Sequence, residues 1–242
     1  MTPAAILALL VAISTPALAD EAGAAWLKKI DEGAQVDDAH LTVDLTVTDA
    51  RGTSTQRTIK IWQKGTSQRL VRMVAPARLK GVGLLVGSND SLHLFLPSYP
   101  PSRRVTASKR SDAFMGTDFA IDDLSRMTFA DRFDAVVHSA QGDMTRLDLT
   151  PRNPEEDDAM ALWVASSGTP NVHRIEHLDD TSTVIRRLTM SDFRTVNGTT
   201  FAHAMKVEDL RKGRVTSGNV SQIEVGTGLA DRIFTVNHLE HP

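Results

Sequence analysis

The sequence predicts a mainly β (α+β) fold built on an antiparallel sheet of the meander type. Apolar and polar residues alternate over many short segments, as they do in strands with one buried face. Turn-forming residues separate these segments at short intervals, without the alternation of strands and long helices that parallel sheets require. One stretch, residues 114–124, breaks the alternation and places its apolar residues at helical spacing.

The first nineteen residues have the pattern of a secretory signal peptide. Residues 4–13 form an apolar run that is too short to span a bilayer, and Ala17-Leu18-Ala19 is an A-x-A cleavage motif directly before Asp20. No Lys or Arg precedes the apolar run, which departs from the usual pattern. We therefore expect cleavage after residue 19 and a single domain over residues 20–242.

The chain contains no cysteine. This excludes disulfides, thiol catalysis, cysteine-based metal sites and an acylated N-terminal cysteine. No second apolar stretch has the length of a membrane span. We therefore expect a protein of the periplasm that is exported, soluble and not lipid-anchored.

The net charge of −3 and the pI near 6.2 give no reason to expect a nucleic acid or an anionic membrane as a partner. Aromatic residues make up only 5% of the chain, with Tyr99 as the single tyrosine. This composition argues against an aromatic platform for stacking bases or sugars.

The first half of the exported chain is expected to form one short helix followed by strands. Residues 22–30 combine alanine-rich helix propensity with Trp26 and Ile30 one turn apart. Alternating apolar side chains then predict strands over residues 41–47, 55–64, 68–74, 82–86, 92–96 and 103–108. Within residues 92–96 the leucines share one face and Phe95 lies on the other.

The second half continues the same pattern. Residues 135–139 and 145–150 predict a hairpin, and the acidic, proline-containing segment 151–158 has the character of a linker. Further strands are predicted over residues 160–165, 173–178, 184–190, 201–207 and 215–223 and at Phe234. Short turns between them, at positions such as Gly87-Ser88-Asn89-Asp90 and Asn197-Gly198, indicate a meander.

Residues 114–124 predict a short helical lid about three turns long. Thr117 or Asp118 could cap its N-terminus, and Gly116 gives the backbone freedom to turn into it. Because the segment is apolar, we expect it to lie over the concave face of a curved sheet. We also expect few hydrogen bonds to that sheet, as in an element that moves when a ligand binds.

No pattern of residues predicts catalysis or metal binding. His173 and His177, on one face of a predicted strand, would lie about 13 Å apart at ~3.3 Å per residue, too far to share an ion. Asp122 and Asp123 are adjacent in the lid and are most simply explained as a solvated face near the helix N-terminus. We therefore expect a protein that is not an enzyme and that needs no cofactor and no metal.

Four short motifs follow one another between residues 76 and 124. They are Pro76-x-x-x-Lys80-Gly81-x-Gly83-Leu84-Leu85, Leu94-Phe95-Leu96-Pro97-Ser98, Arg103-Arg104-Val105 and Phe114-Met115-Gly116-Thr117-Asp118-Phe119 with Asp122-Asp123-Leu124. In this order and spacing the chain resembles the bacterial outer-membrane lipoprotein-sorting proteins of the LolA-like superfamily. The β-rich tail that ends with Phe234 and Leu239 fits the same pattern.

The resemblance implies a strongly curved, incompletely closed antiparallel half-barrel with short helices over an apolar hollow. It also implies that the hollow binds acyl chains of lipoproteins or other lipids during transport to the outer membrane. Some relatives are encoded beside RND-type transporters, which implies an inner-membrane transporter of that type as a partner. We expect the carrier to be a monomer.

Three groups of residues are expected to form the site. The wall of the hollow is assigned to Val82, Leu84, Val86, Leu92, Leu94 and Leu96. The lid is assigned to Phe114, Met115, Phe119, Ile121 and Leu124. A basic strip beside the lid, formed by Arg103, Arg104, Lys109 and Arg110, could contact a partner or could protect an edge strand from aggregation.

Two other functions fit the same half-barrel. The first is a periplasmic adaptor or sensor that holds a segment of a partner protein. The second, which the sequence supports less, is a lipid-modifying hydrolase. One experiment on gently purified protein distinguishes the three functions. Bound acyl chains indicate the carrier, a bound polypeptide indicates the adaptor, and turnover of added phospholipid indicates the hydrolase.

Overall fold

The computed structural model describes residues 21–87, 91–138 and 140–242. The predicted signal peptide, the predicted mature start at Asp20, the end of the predicted strand at Ser139 and most of the predicted turn at 87–90 lie outside the described residues. Within the described ranges, no helix has the length and apolar character needed to cross a bilayer.

The described residues of the first half form one α-helix and six strands, at the places where the sequence predicts them, and only the strand predicted over residues 103–108 is largely missing. They are α1 (Glu21–Gly33), β1 (Asp38–Thr48), β2 (Ser54–Lys64), β3 (Gln68–Ala75), β4 (Gly83–Val86), β5 (Leu92–Phe95) and β6 (Arg103–Arg104). The last of these is much shorter than the predicted strand over residues 103–108.

After β6 the chain forms single turns of helix before the strands resume. The elements are α2 (Ile121–Ser125), β7 (Phe133–Val137), β8 (Met144–Pro151), β9 (Met160–Ala165), β10 (Val172–Leu178), β11 (Val184–Val196), β12 (Thr199–Asp209), β13 (Arg214–Val225) and α3 (Val236–Glu240). The prediction of a strand at Phe234 is wrong, because this residue ends a 3-10 turn at Asp231–Phe234 that leads into α3.

The thirteen strands form one antiparallel sheet in the order β6-β5-β4-β3-β2-β1-β13-β12-β11-β10-β9-β8-β7. The predicted fold class is confirmed: the sheet is an open meander whose two edges are β6 and β7. The chain starts near the middle of the sheet, winds out to one edge, crosses to the other edge through residues 105–132, and winds back. The crossing segment contains α2 and the predicted lid.

The sheet has an inner and an outer apolar face. The inner face carries the larger core, to which β1, β2, β3 and β4 contribute Val43, Ile59, Val71 and Leu84 and to which α1 adds Leu27 and Ile30. The outer face carries a smaller core made of Leu70, Leu85, Phe95, Phe234 and Leu239. Alternate residues of β3 and β4 therefore point to opposite sides, as strand geometry requires.

Two glycines allow helices to pack closely on this sheet. A Cβ at Gly23 would lie 2.0 Å from the Ala135 carbonyl oxygen, so only glycine lets α1 approach β7 at this distance. A Cβ at Gly83 would lie 2.6 Å from Leu239 Cδ1, so glycine here makes room for α3 on the outer face.

Candidate functional site

The predicted wall residues lie together on the inner face. Leu84 of β4 stands opposite Leu94 of β5, and Val86 stands opposite Leu92. Val82, Leu84, Val86 and Leu92 are buried in the inner core, and Leu94 and Leu96 are half-buried against it. Directly opposed side chains of this kind pack across a strand pair, so the six residues form one apolar surface.

The lid, residues 114–124, covers that surface as two separate turns, the second of which ends one residue further along the chain. Phe114–Gly116 form a 3-10 turn and Ile121–Ser125 form α2. The prediction of one helix of about three turns is wrong, because Met115 and Gly116 adopt positive φ angles of 48° and 74° and break the helical path. A single antiparallel bridge between Ala113 and Ala120 closes the loop between the turns.

The lid side chains fill the space above the wall. Phe114, Phe119, Ile121 and Leu124 are 1%, 4%, 5% and 8% exposed and belong to the inner core. Met115 is half-buried against the same core. In the described molecule, lid side chains therefore occupy the inner face of the sheet above the wall.

The N-terminus of α2 is capped from within the helix. The Asp123 carboxylate accepts a hydrogen bond from the Ala120 backbone N–H at 2.7 Å. The predicted caps have other contacts: Thr117 donates to the Phe114 carbonyl at 2.7 Å, and Asp118 accepts from Thr216 at 2.7 Å. The capping prediction was therefore wrong, although a side-chain carboxylate does perform the capping.

The start of the lid is attached to β13. The Thr216 hydroxyl donates to the Asp118 carboxylate and accepts from the Asp118 backbone N–H at 2.9 Å. Arg214 lies 3.3 Å from Asp118 and donates to the Gly116 carbonyl at 2.8 Å. Thr216 is fully buried, so its two hydrogen bonds with Asp118 are shielded from water, whereas the hydrogen bond from Arg214 to Gly116 is exposed.

The end of the lid is attached to β3. Arg69 donates to the carbonyl oxygens of Leu124 and Arg126 at 3.0 and 3.3 Å, and to the Gln63 side chain at 2.6 Å. Burial lowers the pKa of Arg69 to about 10, so the guanidinium remains charged at neutral pH. A half-buried cation at the last carbonyls of a helix also interacts favourably with the helix dipole.

The middle of the lid is attached to β10 and β11 by a buried ion pair. Asp123 contacts the Arg186 guanidinium and lies 3.3 Å from His177 Nε2. Burial alone would raise the pKa of Asp123, but Arg186 and then His177 hold it well below its usual range. Burial lowers the pKa of His177 more than Asp123 raises it, so the ring is neutral at pH 7.

Four further side chains extend this network. Asp122 contacts Arg126 and Arg132, and Asp157 contacts Arg132 and lies 3.9 Å from Arg126. Burial lowers the pKa of Arg126 to about 9. We call Asp122, Asp123, Arg126, Arg132, Asp157, His177 and Arg186 the lid network.

The lid network corrects three predictions. Asp122 and Asp123 were expected on a solvated face, but their side chains are 10% and 2% exposed. The lid was expected to form few hydrogen bonds to the sheet, but β3, β10, β11 and β13 all bond to it. Segment 151–158 was expected to behave as a linker, but Asp157 ties it to the network.

Water can approach one side of the lid network. A polar cavity of about 130 Å³ is bordered by its buried charges and by the acidic segment that ends in Asp157 and Asp158. A cavity of this size with polar walls holds ordered water. Water in this cavity can therefore hydrate the charges that border it, which lowers the cost of separating them.

The remaining predicted residues have different surroundings. His173 packs against the Phe193 ring at 4.6 Å, whereas His177 belongs to the lid network. Arg103, Arg104 and Lys109 of the basic strip are exposed. Arg110 is half-buried, and its carbonyl accepts from the Asp122 backbone N–H at 2.8 Å, so part of the strip supports the lid.

The lid network could not have been found from local sequence patterns. Asp123 and Arg186 are 63 residues apart, and Arg69 is 55 residues from Leu124. The one local signal is the spacing of Asp122 and Arg126, which form an i,i+4 pair on one helical face.

A protein-family model described as an uncharacterized protein matches residues 65–241. No curated protein matches the chain. The matched range includes the wall, the lid and the whole lid network.

Three solved structures share the fold over nearly the whole chain. An outer-membrane lipoprotein-sorting protein domain from Vibrio parahaemolyticus is 20% identical with a TM-score of 0.80, covering 91% of this chain and 99% of that one. A DUF1329 family protein from Desulfovibrio piger is 20% identical with a TM-score of 0.80, covering 90% and 98%. A LolA superfamily protein from Nitrosomonas europaea is 21% identical with a TM-score of 0.72, covering 88% and 97%.

Proposed function

The chain belongs to the family whose model covers residues 65–241 and has the LolA-like fold, and from that premise we propose that it is a periplasmic lipid carrier. It binds acyl chains of lipoproteins or other lipids on the inner face and takes part in their transport to the outer membrane. The observation that carries this proposal is the construction of the lid. Its apolar side chains are buried, yet its backbone joins the sheet through side-chain contacts at three points and not through a continuous strand ladder.

An acyl chain can replace the lid side chains without exposing the wall. Each CH₂ group moved from water to an apolar surface gains roughly 0.8 kcal/mol. The wall of Val82, Leu84, Val86 and Leu92 and the underside of the lid offer such a surface on both sides. Displacing the lid costs its packing and the polar contacts of the lid network, and the acyl chain restores the packing.

Carriage of this kind requires no bond to break and no cofactor. The polar residues of the site have structural partners: Asp123 caps α2 and binds Arg186, and Arg69 binds lid carbonyls. They hold the lid in its closed position until a lipid arrives. We further propose that an RND-type inner-membrane transporter donates the lipid and that the carrier acts as a monomer.

The test is native mass spectrometry combined with lipid extraction on gently purified protein. Bound fatty acyl or phospholipid species support the carrier. A bound polypeptide with no acyl species would overturn the carrier in favour of an adaptor, and turnover of added phospholipid would overturn it in favour of a hydrolase. A separate experiment tests the donor: the carrier is crosslinked to its partners in membranes, and the captured proteins are checked for the transporter.

A further inference from the structure

One end of the sheet collects four loops that carry exposed cations. Antiparallel pairing places the β1–β2 turn, the β3–β4 loop, the β5–β6 loop and the β12–β13 turn at the same end, because Thr48 pairs with both Ser54 and Val215 and Gly83 pairs with Phe95. Neighbouring loops touch: a Cβ at Gly213 would lie 3.7 Å from Ala50 Cβ. The β3–β4 and β5–β6 loops border one cleft.

Four cations on or beside these loops have no carboxylate partner within the described ranges, whereas Lys212 of the β12–β13 turn pairs with Asp209. Arg51, Arg78, Lys80 and Arg103 are all exposed, and none forms an ion pair with a described residue. Behind them, burial and then the charges of Arg78 and Arg214 lower the pKa of Arg57, which reflects the same excess of positive charge. Unpaired cations crowded at one edge repel one another and favour an anionic surface.

The two most exposed large apolar side chains of the described residues lie on the same loops. Tyr99 of the β5–β6 loop is 66% exposed and Leu210 of the β12–β13 turn is 47% exposed. Each stands singly at the tip of a connection instead of joining a patch. Single Tyr and Leu side chains flanked by Arg and Lys are typical of segments that insert shallowly at a bilayer surface. A flat protein interface would instead favour one contiguous patch.

We propose that this basic rim, defined as Arg51, Arg78, Lys80 and Arg103 with Tyr99 and Leu210, docks the protein on an anionic membrane surface. The inference rests on the proposed function and names the surface from which lipid is taken or to which it is delivered. The start of the lid lies at this end, since Arg214 beside the rim donates to the Gly116 carbonyl. The net charge of −3 concealed the rim, and the expectation that no anionic membrane is a partner is revised here.

The other half of the same end carries the opposite charge. The β8–β9 and β10–β11 connections hold exposed Glu155, Glu156, Asp158, Asp179 and Asp180. Anionic headgroups repel this half and attract the basic rim, so docking is tilted. Because basic and acidic residues lie on opposite halves of this end, the protein docks on an anionic membrane in one orientation. A uniformly basic end would not define that orientation.

The test is flotation of the full chain with phosphatidylcholine vesicles, with and without phosphatidylglycerol. We expect binding to the anionic vesicles only, weakening at high salt. R78E/K80E should lower the partition coefficient by roughly 30-fold or more, since each basic residue at an anionic surface contributes about fivefold. Y99S should also weaken binding, with its circular dichroism spectrum unchanged.

The matched control is K28E/K29E, which makes the same change in net charge on exposed positions of α1. Equal loss of binding in the control, or equal binding to neutral and anionic vesicles, would overturn the proposal. Uptake of a fluorescent fatty acid from solution is measured in parallel, without vesicles. Uptake without flotation refutes the docking surface and leaves the carrier intact, whereas flotation without uptake refutes the carrier and leaves the docking surface.

Discussion

Arg69 of β3 holds the C-terminal end of α2 by donating to the Leu124 carbonyl oxygen at 3.0 Å. The contact joins β3 to the lid on the inner face. The lid consists of two short turns, each too short to be stable without such contacts. Three positions further along β3, Arg72 does the same on the outer face, donating to the carbonyls of His238 and Leu239 of α3. One strand thus holds two helices on opposite sides.

Replacing Arg69 with methionine should loosen the lid. Methionine keeps the apolar volume but leaves the Leu124 and Arg126 carbonyls without their donor, at a cost of about 1–3 kcal/mol, so lid amides should exchange about 10- to 100-fold faster. Hydrogen exchange read by mass spectrometry over residues 120–126 measures the effect. Arg72→Met is the matched control and should accelerate exchange in α3 while leaving the lid unchanged.

Phe119→Ala should separate a movable lid from a fixed core. Phe119 is 4% exposed, so the substitution should lower the free energy of unfolding of delipidated protein by about 3–5 kcal/mol. In the proposed carrier the acyl chain displaces this ring, so affinity for a fluorescent fatty acid should rise. Leu70→Ala on the outer face should cost about 2–5 kcal/mol without raising affinity. Equal loss of stability in loaded and empty Phe119→Ala protein would indicate a fixed core.

Asp123→Asn should be among the most destabilising polar substitutions in the chain. It leaves the Arg186 side chain, which is only 16% exposed, without its carboxylate, and removal of one partner of a buried pair costs about 3–5 kcal/mol. Urea unfolding measures the loss. Asp192→Asn, at an exposed pair with Arg194, is the control and should leave the midpoint unchanged. A similar loss of stability in both variants would mean that removing the buried Asp123 carboxylate costs no more than removing an exposed one.

His177 should make stability depend on pH. Its pKa in the folded protein is below the ordinary value of 6.5, so between these two values the unfolded chain binds more protons and stability falls as the pH falls. The stability due to neutral His177 is fully present above about pH 6.5 and is lost below it. Thermal unfolding from pH 7.5 downward should show a smaller decrease for His177→Gln than for the parent. Parallel curves would exclude His177 as a source of the pH dependence.

Export should remove the first nineteen residues. The A-x-A motif at Ala17-Leu18-Ala19 is followed by Asp20, and no cysteine is available for acylation. N-terminal sequencing of protein recovered from the periplasmic fraction should begin at Asp20. An uncleaved terminus, or protein retained in the cytoplasm, would refute both the signal peptide and the periplasmic carrier.

The strands of this fold could be predicted because their signal is local. Alternation within β1 to β5 assigns each side chain to the inner or outer face, and the assignment of Leu92 and Phe95 to opposite faces is confirmed. The broken helix of the lid was missed, because apolar spacing does not reveal the positive φ angle of Met115.

The chemistry that holds the lid could not be predicted, because its partners are brought together only by the fold. A carboxylate such as Asp123 has the same local pattern whether it faces water or a buried arginine. The position of Arg186 depends on the register of β10 and β11. The basic rim was missed for a similar reason. Its cations come from separate loops, and acidic residues elsewhere in the chain offset them in the net charge.

The pairing of β1 with β13 in the middle of the sheet has a consequence for folding. Leu41 and Ile223 are partners, so the central pair forms only after nearly the whole chain is available. The two flanking meanders consist of short-range hairpins and can form earlier. Until β13 is present, β1 has an unpaired edge in the centre of the molecule, where aggregation is most readily templated. Folding of this protein is therefore completed at its centre and by its last strand.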